Sequence, residues 1–377
     1  MMTFDDFGLQ PGILKQIAAQ GLTDPTPIQA KAIPIALQGR DVMGLAQTGT
    51  GKTAAFGLPL LNALITQGTP PMAKSATGLV LAPTRELAKQ IHEALAGFTR
   101  GGHLKVVVVG GGVSMNRQIN AMRKGADLLI ATPGRLMDHI DQKTIRLDQT
   151  RFLVLDEADQ MLDMGFIHAL RKIAPLLPRD RQTMMFSATM PKLMADLSKQ
   201  FLTDPTRVEV ARPGVAADKI SQSVHFLAQP AKTGLLIRLL GDHVGERAVV
   251  FARTKHGSER LMKKLVQAGF AAASIHGNKS QGQRDRALAG FKSGEVTVLV
   301  ATDVAARGID IPDVKYVYNF DLPNVAENYI HRIGRTARAG ASGQAVAFCS
   351  PEEVSDLRAI EKVLKASIAV ASGESPE

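Results

Sequence analysis

Asp41-Val42-Met43-Gly44-Leu45-Ala46-Gln47-Thr48-Gly49-Thr50-Gly51-Lys52-Thr53 is the stretch on which the reading of this 377-residue chain turns. A short apolar β-type segment runs into a loop of small residues, and an apolar helical pattern follows. In that context Gln47, Thr48, Gly49, Thr50 and Gly51 let backbone N–H groups converge on phosphate oxygens at a helix N-terminus. Lys52 reaches the β and γ phosphates, and the Thr53 hydroxyl is a magnesium ligand. Ala46 stands where the general pattern has its first glycine. Gly49, Gly51 and Ala54 also satisfy a dinucleotide-binding spacing, but that motif needs an acid about twenty residues on. Thr69 to Met72 supply none.

A phosphate loop needs a carboxylate for its metal at the end of another strand. Phe152-Leu153-Val154-Leu155 runs into Asp156-Glu157-Ala158-Asp159. Asp156 is therefore the second magnesium ligand, partly through water, and Glu157 the base that activates the attacking water. Taken alone, the acidic string reads equally well as a helix N-terminus carrying acids; the upstream loop decides between the two.

Further out, apolar β-type runs alternate with helical stretches. They fall at residues 78–82, 105–109, 127–131 and 152–155, and again at 248–251, 273–276, 296–300, 316–318 and 344–348. This alternation predicts βαβ units around a mainly parallel sheet, twice over. Between the two series lies Val210-Ala211-Arg212-Pro213-Gly214, without periodicity and broken by Pro-Gly, so residues 209–219 are expected to be a linker. The expected domains are 1–208 and 220–370, with 371–377 as a disordered end.

Composition narrows the class of function. The hydrophobic share of 45% supports two buried cores, and no apolar stretch is long enough to span a membrane. The N-terminus carries Asp5 and Asp6 where a signal peptide needs basic and then apolar residues, so a cytoplasmic, monomeric protein is expected. The one cysteine, Cys349, lies in an apolar run and reads as structural. The net charge is +10, with 23 Lys and Arg against 18 Asp and Glu up to residue 210 and 22 against 17 beyond it. Each half is thus able to face one polyanion. Aromatic residues are only 5%, with no Trp, so contacts to a nucleic-acid backbone should outweigh base stacking. His92, His103 and His225 show no ligand spacing.

The Asp-Glu-Ala-Asp string is the name-giving signature of the DEAD-box RNA helicases, and the chain resembles that family in further motifs, in the same order, from Phe4 to Ser350. Pro25-Thr26-Pro27-Ile28-Gln29 resembles the Q motif, which implies that Gln29 reads adenine, with Phe4 as the isolated upstream aromatic. Leu22 occupies the usual place of an aromatic that packs on the base. Ser187-Ala188-Thr189 resembles the segment that couples hydrolysis to strand separation, and the resemblance gives Asp159, Ser187, Thr189, Asp303 and His331 coupling roles. Gly308 and Asp310 match the segment touching ribose. In Tyr329 to Arg338, Arg335 and Arg338 match the arginine fingers, with Ala337 where many members have glycine.

The same resemblance implies RNA contacts at Pro83, Thr84, Arg85, Gly111, Gly112, Thr132, Pro133, Gly134 and Arg135 in the first domain. In the second they fall on Arg253, Thr254, Lys255, Gln281, Arg284 and Thr302. These residue types suit phosphate recognition, although Pro-Thr and Thr-Pro-Gly are ordinary helix starts when met alone. The first-domain loops look most like the bacterial RhlE-like subgroup. The expectation is two tandem RecA-like α/β domains that bind ATP and magnesium and unwind RNA locally and non-processively. Two alternatives use the same residues: an ATP-gated RNA clamp or annealer, and a DNA-directed translocase.

Overall fold

The computed structural model describes residues 2–46, 49–190, 192–210, 220–306, 314–337 and 342–374. The chain divides into two compact units, Met1–Arg212 and Pro213–Glu377.

Unit 1 holds strands β1 (Val42–Leu45), β2 (Ala76–Leu81), β3 (Val106–Val109), β4 (Ala126–Ala131), β5 (Phe152–Leu155), β6 (Gln182–Ser187) and β7 (Thr206–Glu209). They form one sheet in the order β3-β4-β2-β5-β6-β1-β7, with every pairing parallel. The strand period of two sends alternate side chains to opposite faces. Val80 and Val154 enter one core with the helices Pro11–Ala19, Pro27–Leu37, Lys52–Gln67 and Arg85–Phe98. Leu79, Leu81, Leu153 and Leu155 enter the other, under the helices Pro133–Asp141, Ile167–Ile173 and Lys192–Phe201. Burial on both faces is why these strands read as unbroken apolar runs.

Unit 2 repeats the plan with β8 (Ile220–Phe226), β9 (Ala248–Phe251), β10 (Ala272–Ile275), β11 (Val298–Ala301), β12 (Tyr316–Asn319), β13 (Gly343–Cys349) and β14 (Ala369–Ser372). Their order is β10-β11-β9-β12-β13-β8-β14, again all parallel. Val250 faces one core; Val249 and Phe251 face another. Cys349 is buried as expected, and burial pushes its thiol up to about 11.

Two boundaries differ from the sequence reading. Glu209, taken as the first linker residue, closes β7, and the end expected to be disordered from 371 still contributes Ala371 and Ser372 to β14. β14 holds on because it hydrogen-bonds alongside β8, with the Ser372 hydroxyl 2.7 Å from His225 Nδ1. Among the described residues no helix is long and apolar enough to cross a membrane.

Candidate functional site

A parallel sheet gathers the loops that follow its strands along one edge, where ligands of open α/β sheets bind. In unit 1 the candidate residues at 49–53, 83–85, 111–112, 132–135, 156–159 and 187–189 follow β1, β2, β3, β4, β5 and β6 respectively. In unit 2, residues 253–255, 281–284 and 302–303 follow β9, β10 and β11. Gln47, Thr48, Gly308, Asp310 and Arg338 lie outside the described residues.

After β1, Gly49 and Gly51 take φ of +84° and +88°, which only glycine adopts freely, and Lys52 opens the helix Lys52–Gln67. Lys52 is 6% exposed, and among the described residues its Nζ has no hydrogen-bond partner. Asp156 is 2% exposed at the end of β5. Burial pushes its carboxyl up to about 6, against the pull of Lys52 and with the repulsion of Glu157. A buried cation whose Nζ makes no hydrogen bond among the described residues, beside a carboxyl raised by burial, fits a site built for phosphate and a divalent metal. Thr53 Oγ1 and the Asp156 carboxylate are the candidate groups for such a metal. Glu157 sits at φ +50°, a left-handed backbone that is costly for a non-glycine residue and typical of functional sites.

Gln29 bridges two structures. Its Oε1 accepts the Thr26 N–H at 2.9 Å, completing a helix-capping box, and its Nε2 donates to Gly51 O at 3.0 Å. The Thr26 hydroxyl donates to Thr50 O at 2.8 Å. The Q-like segment therefore braces the phosphate loop directly. Phe4 is packed into the core edge-to-face with Phe7, whereas Leu22 is exposed.

Asp159 ties the acidic string to Ser187-Ala188-Thr189. Its Oδ2 accepts from Ala188 N at 3.1 Å, Thr189 N at 2.9 Å and Thr189 Oγ1 at 2.9 Å. The Ser187 hydroxyl donates to Thr189 O at 2.6 Å.

The loop after β3 is held from behind by three side chains. Gln118 Nε2 donates to Gly110 O at 2.8 Å, Arg85 donates to Gly111 O, and Arg135 Nη1 donates to Val113 O at 2.9 Å. Behind Gln118 the fully buried His139 presents Nε2 to its Oε1 at 3.0 Å. Arg85 and Arg135 thus support the glycine loop as well as standing beside it. Pro83, Thr84, Thr132 and Pro133 are buried, and Thr84 caps its helix by accepting from Leu87 N at 3.2 Å; Gly134 is half-buried and Gly112 exposed. Gly112 has φ +70°, and a Cβ there would run into the Arg85 guanidinium. Gly111 differs: its φ is ordinary and nothing lies within 4 Å of where a Cβ would stand. No neighbour among the described residues demands glycine at 111, which agrees with the RNA contact expected there. Gly111→Ala is expected to fold and bind ATP as the parent does while RNA affinity, measured by fluorescence anisotropy, falls roughly tenfold, the loss of about one backbone hydrogen bond. Unchanged affinity would remove Gly111 from the interface.

In unit 2, Arg253 is already engaged. Its Nη2 donates to Leu322 O at 3.1 Å, Glu353 Oε1 at 3.0 Å and Asp356 Oδ2 at 3.3 Å. Glu353 is bonded in turn to the fully buried Lys232. Thr254 Oγ1 accepts from Gly257 N at 2.9 Å as a helix cap, leaving Lys255 exposed at the helix start, and Gln281 Nε2 donates to Asp285 Oδ1 at 2.8 Å. Arg284 is half-buried and Thr302 buried. Asp303 forms a bidentate pair with Arg332, Nε to Oδ1 at 2.6 Å and Nη2 to Oδ2 at 2.8 Å, while Arg332 Nη1 donates to Asn319 Oδ1 at 3.0 Å. Arg335 is 4% exposed and lines a small cavity with Asp303, Asn328 and His331. Ala337 takes φ +57°. Sequence reading passed over Gln118, His139, Asn319, Lys232 and Glu353, because none of them stands in a motif and the fold alone brings them to their partners.

A phosphate loop after the first strand of a parallel sheet, a buried acid at the end of β5 and a second sheet of the same kind define a nucleotide-hydrolysing protein built from two RecA-like units. Residues 26–197 match the DEAD/DEAH box helicase family, and residues 231–340 the helicase conserved C-terminal domain. The chain is 45% identical over 365 residues to the DEAD-box ATP-dependent RNA helicase CshA of Bacillus cereus (strain ATCC 10987 / NRS 248), covering 97% of this chain and 69% of that protein. It is also 45% identical to CshA of Bacillus subtilis (strain 168), covering 97% and 73%. Among solved structures, S. cerevisiae Dbp5 bound to RNA and ADP BeF3 aligns with TM-score 0.86 at 33% identity, covering 99% of this chain and 96% of that one. Mss116p bound to ssRNA and AMP-PNP aligns with TM-score 0.89 at 29% identity, covering 100% and 80%. The chain belongs to the DEAD-box family and is an ATP-dependent RNA helicase, an RNA-stimulated ATPase.

Proposed function

We propose that this helicase opens short duplexes locally rather than travelling along a strand, and that its candidate site residues divide the work as follows. Lys52 and the N–H groups of Gly49, Thr50 and Gly51 bind and orient the phosphates, with Gln47 and Thr48 completing the loop. Thr53 and Asp156 hold magnesium, which when bound neutralises charge on the β and γ phosphates. Glu157 accepts the proton of the attacking water. Gln29 reads adenine at the position where it braces the loop, with Phe4 fixing that segment from the core and Gly308 and Asp310 at the ribose.

Unit 2 supplies Arg335 and Arg338 to the γ phosphate, so that hydrolysis requires both units at once. Residues 210–219 serve as the tether between them. Asp159, Ser187 and Thr189, with Asp303 and His331 in unit 2, transmit the state of the nucleotide to the RNA residues. RNA phosphates rest on Arg85, Gly111, Gly112 and Thr132 to Arg135 in unit 1, and on Thr254, Lys255, Gln281, Arg284 and Thr302 in unit 2, with Arg253 shaping that surface through its carboxylate partners. A duplex step is worth about 1.4 kcal/mol on average, so one closure on a bent strand opens only a short helix.

The observation that carries this reading is Asp159, one oxygen of which accepts three hydrogen bonds from the segment after β6. A change at the acids of β5 moves Ala188 and Thr189 with no intermediary. We further infer a cytoplasmic monomer of the bacterial RhlE-like subgroup. The CshA relatives support a bacterial helicase core without favouring that subgroup, and the subgroup rests on the first-domain loops alone.

The test is steady-state ATP hydrolysis by the purified chain with no nucleic acid, with single-stranded RNA and with DNA of the same sequence, followed by displacement of duplexes of increasing length. Stimulation by RNA and a steep loss of displacement with length are expected. Equal stimulation by DNA, or displacement independent of length, would overturn the local, RNA-directed reading.

A further inference from the structure

Two helices of unit 2 begin at proposed RNA contacts: Lys255–Gln267, capped by Thr254, and Gln281–Ser293, capped by Ser280. Between β10 and the second helix runs the loop His276–Ser280, in which Gly277 and Asn278 are exposed. Glu259, one turn into the first helix, reaches across to this loop. Its Oε2 accepts from Ser274 Oγ at 2.6 Å, His276 Nε2 at 3.1 Å and Lys279 Nζ at 2.9 Å. His276 Nδ1 accepts the Asn278 N–H at 3.3 Å, which places the ring proton on Nε2, facing Glu259. One carboxylate oxygen thus gathers a strand, a loop and the approach to a second helix. The Ser274 hydroxyl, with Lys279 and His276, holds this carboxyl down to about 2, so it stays charged throughout the working range.

The rest of the surface explains why this arrangement matters for binding. Glu259 is 30% exposed at its side chain, so a core does not depend on it. Lys279, a cation in an RNA-facing loop, is turned back onto Glu259 and only 19% exposed. A site optimised for charge alone would leave Lys279 free and place no acid here. The arrangement gives up attraction for phosphate and gains a fixed loop.

We propose that Glu259 is a positioning residue for RNA: it fixes the starts of the two helices relative to each other, so that Lys255 and the pair Gln281 and Arg284 meet the same strand in register. This rests on the RNA-binding reading of those residues given above. Charge and position make opposite forecasts. Glu259→Gln removes a negative charge and frees Lys279, so electrostatics alone would tighten RNA binding; loss of positioning loosens it.

The experiment uses the full chain and its Glu259→Gln variant, measuring the RNA concentration for half-maximal ATPase stimulation, kcat at saturating RNA, KM for ATP and the thermal midpoint. The half-saturating RNA concentration is expected to rise about tenfold, the scale of one charge-assisted hydrogen bond, with kcat and KM for ATP unchanged. His276→Phe, which cuts the loop side of the same link, should give the same rise, and the double variant no more than either. An unchanged or lower half-saturating concentration overturns the proposal. So does a parallel fall in kcat and thermal midpoint, which would mark Glu259 as structural. If the parent chain shows no RNA stimulation, the RNA-binding reading fails and this proposal with it; a stimulated parent with an indifferent variant sinks the proposal alone.

Discussion

Lys52→Ala is expected to lose ATP hydrolysis by at least about 10³-fold, the scale of removing a charged group from a preorganised phosphate site. The structure gives two reasons for so large an effect. Lys52 Nζ is buried and, among the described residues, without a hydrogen-bond partner, so the phosphates are its natural counter-charge. It is also the cation that opposes the upward shift of Asp156, so its loss drives this proposed metal ligand toward the neutral form. Nucleotide binding should fall along with turnover, measured by titration with a fluorescent ATP analogue. Folding should stay close to the parent's, because Lys52 Nζ makes no hydrogen bond among the described residues and Asp156 can take up a proton when the cation is lost. A Lys52→Ala protein that hydrolyses ATP at the parent rate would end the phosphate-loop assignment.

Arg335→Ala is expected to cut RNA-stimulated hydrolysis by ~10³- to 10⁵-fold, the range of an arginine finger, while nucleotide binding stays within a few-fold of the parent. The nearby Arg332 provides the control. It is locked by Asp303 and Asn319 within unit 2, so Arg332→Ala should lower the thermal midpoint by breaking a buried ion pair. Arg335→Ala should leave that midpoint close to the parent's. Single-turnover hydrolysis with RNA bound separates the chemical step from binding, and an unchanged rate would refute the finger role. Arg335→Lys should recover little, because an ammonium lacks the planar fork that matches a phosphoryl group.

What the sequence made legible was whatever depends on neighbours in the chain. The phosphate loop is local: glycines that allow positive φ, then a lysine at a helix start, permit little else. β2, β4 and β5 were legible because burial on both faces forces unbroken apolar runs. β6 was missed since Gln182, Thr183 and Ser187 interrupt its apolar run, although Met184, Met185 and Phe186 are buried. β8 was missed because Ser221, Gln222 and Ser223 give it no core signal, and β14 because all four of its residues are exposed. Backbone pairing holds β14 to β8, and β8 adds Ile220 and Val224 to the core. The side-chain links around the proposed RNA residues were illegible for another reason. Arg253 and Glu353 stand 100 residues apart, and Asp303 and Arg332 stand 29 apart. Only the sheet order brings them together.

The backbone at Ala337, with φ +57°, has an outcome of its own. A glycine would take that angle without penalty, whereas a side chain with a Cβ pays about 1 kcal/mol to stay there. The backbone two residues after Arg335 is therefore held under a small load. Alanine in place of glycine thus stores about 1 kcal/mol beside Arg335, which in the proposed cycle of gripping and dropping a strand favours letting go.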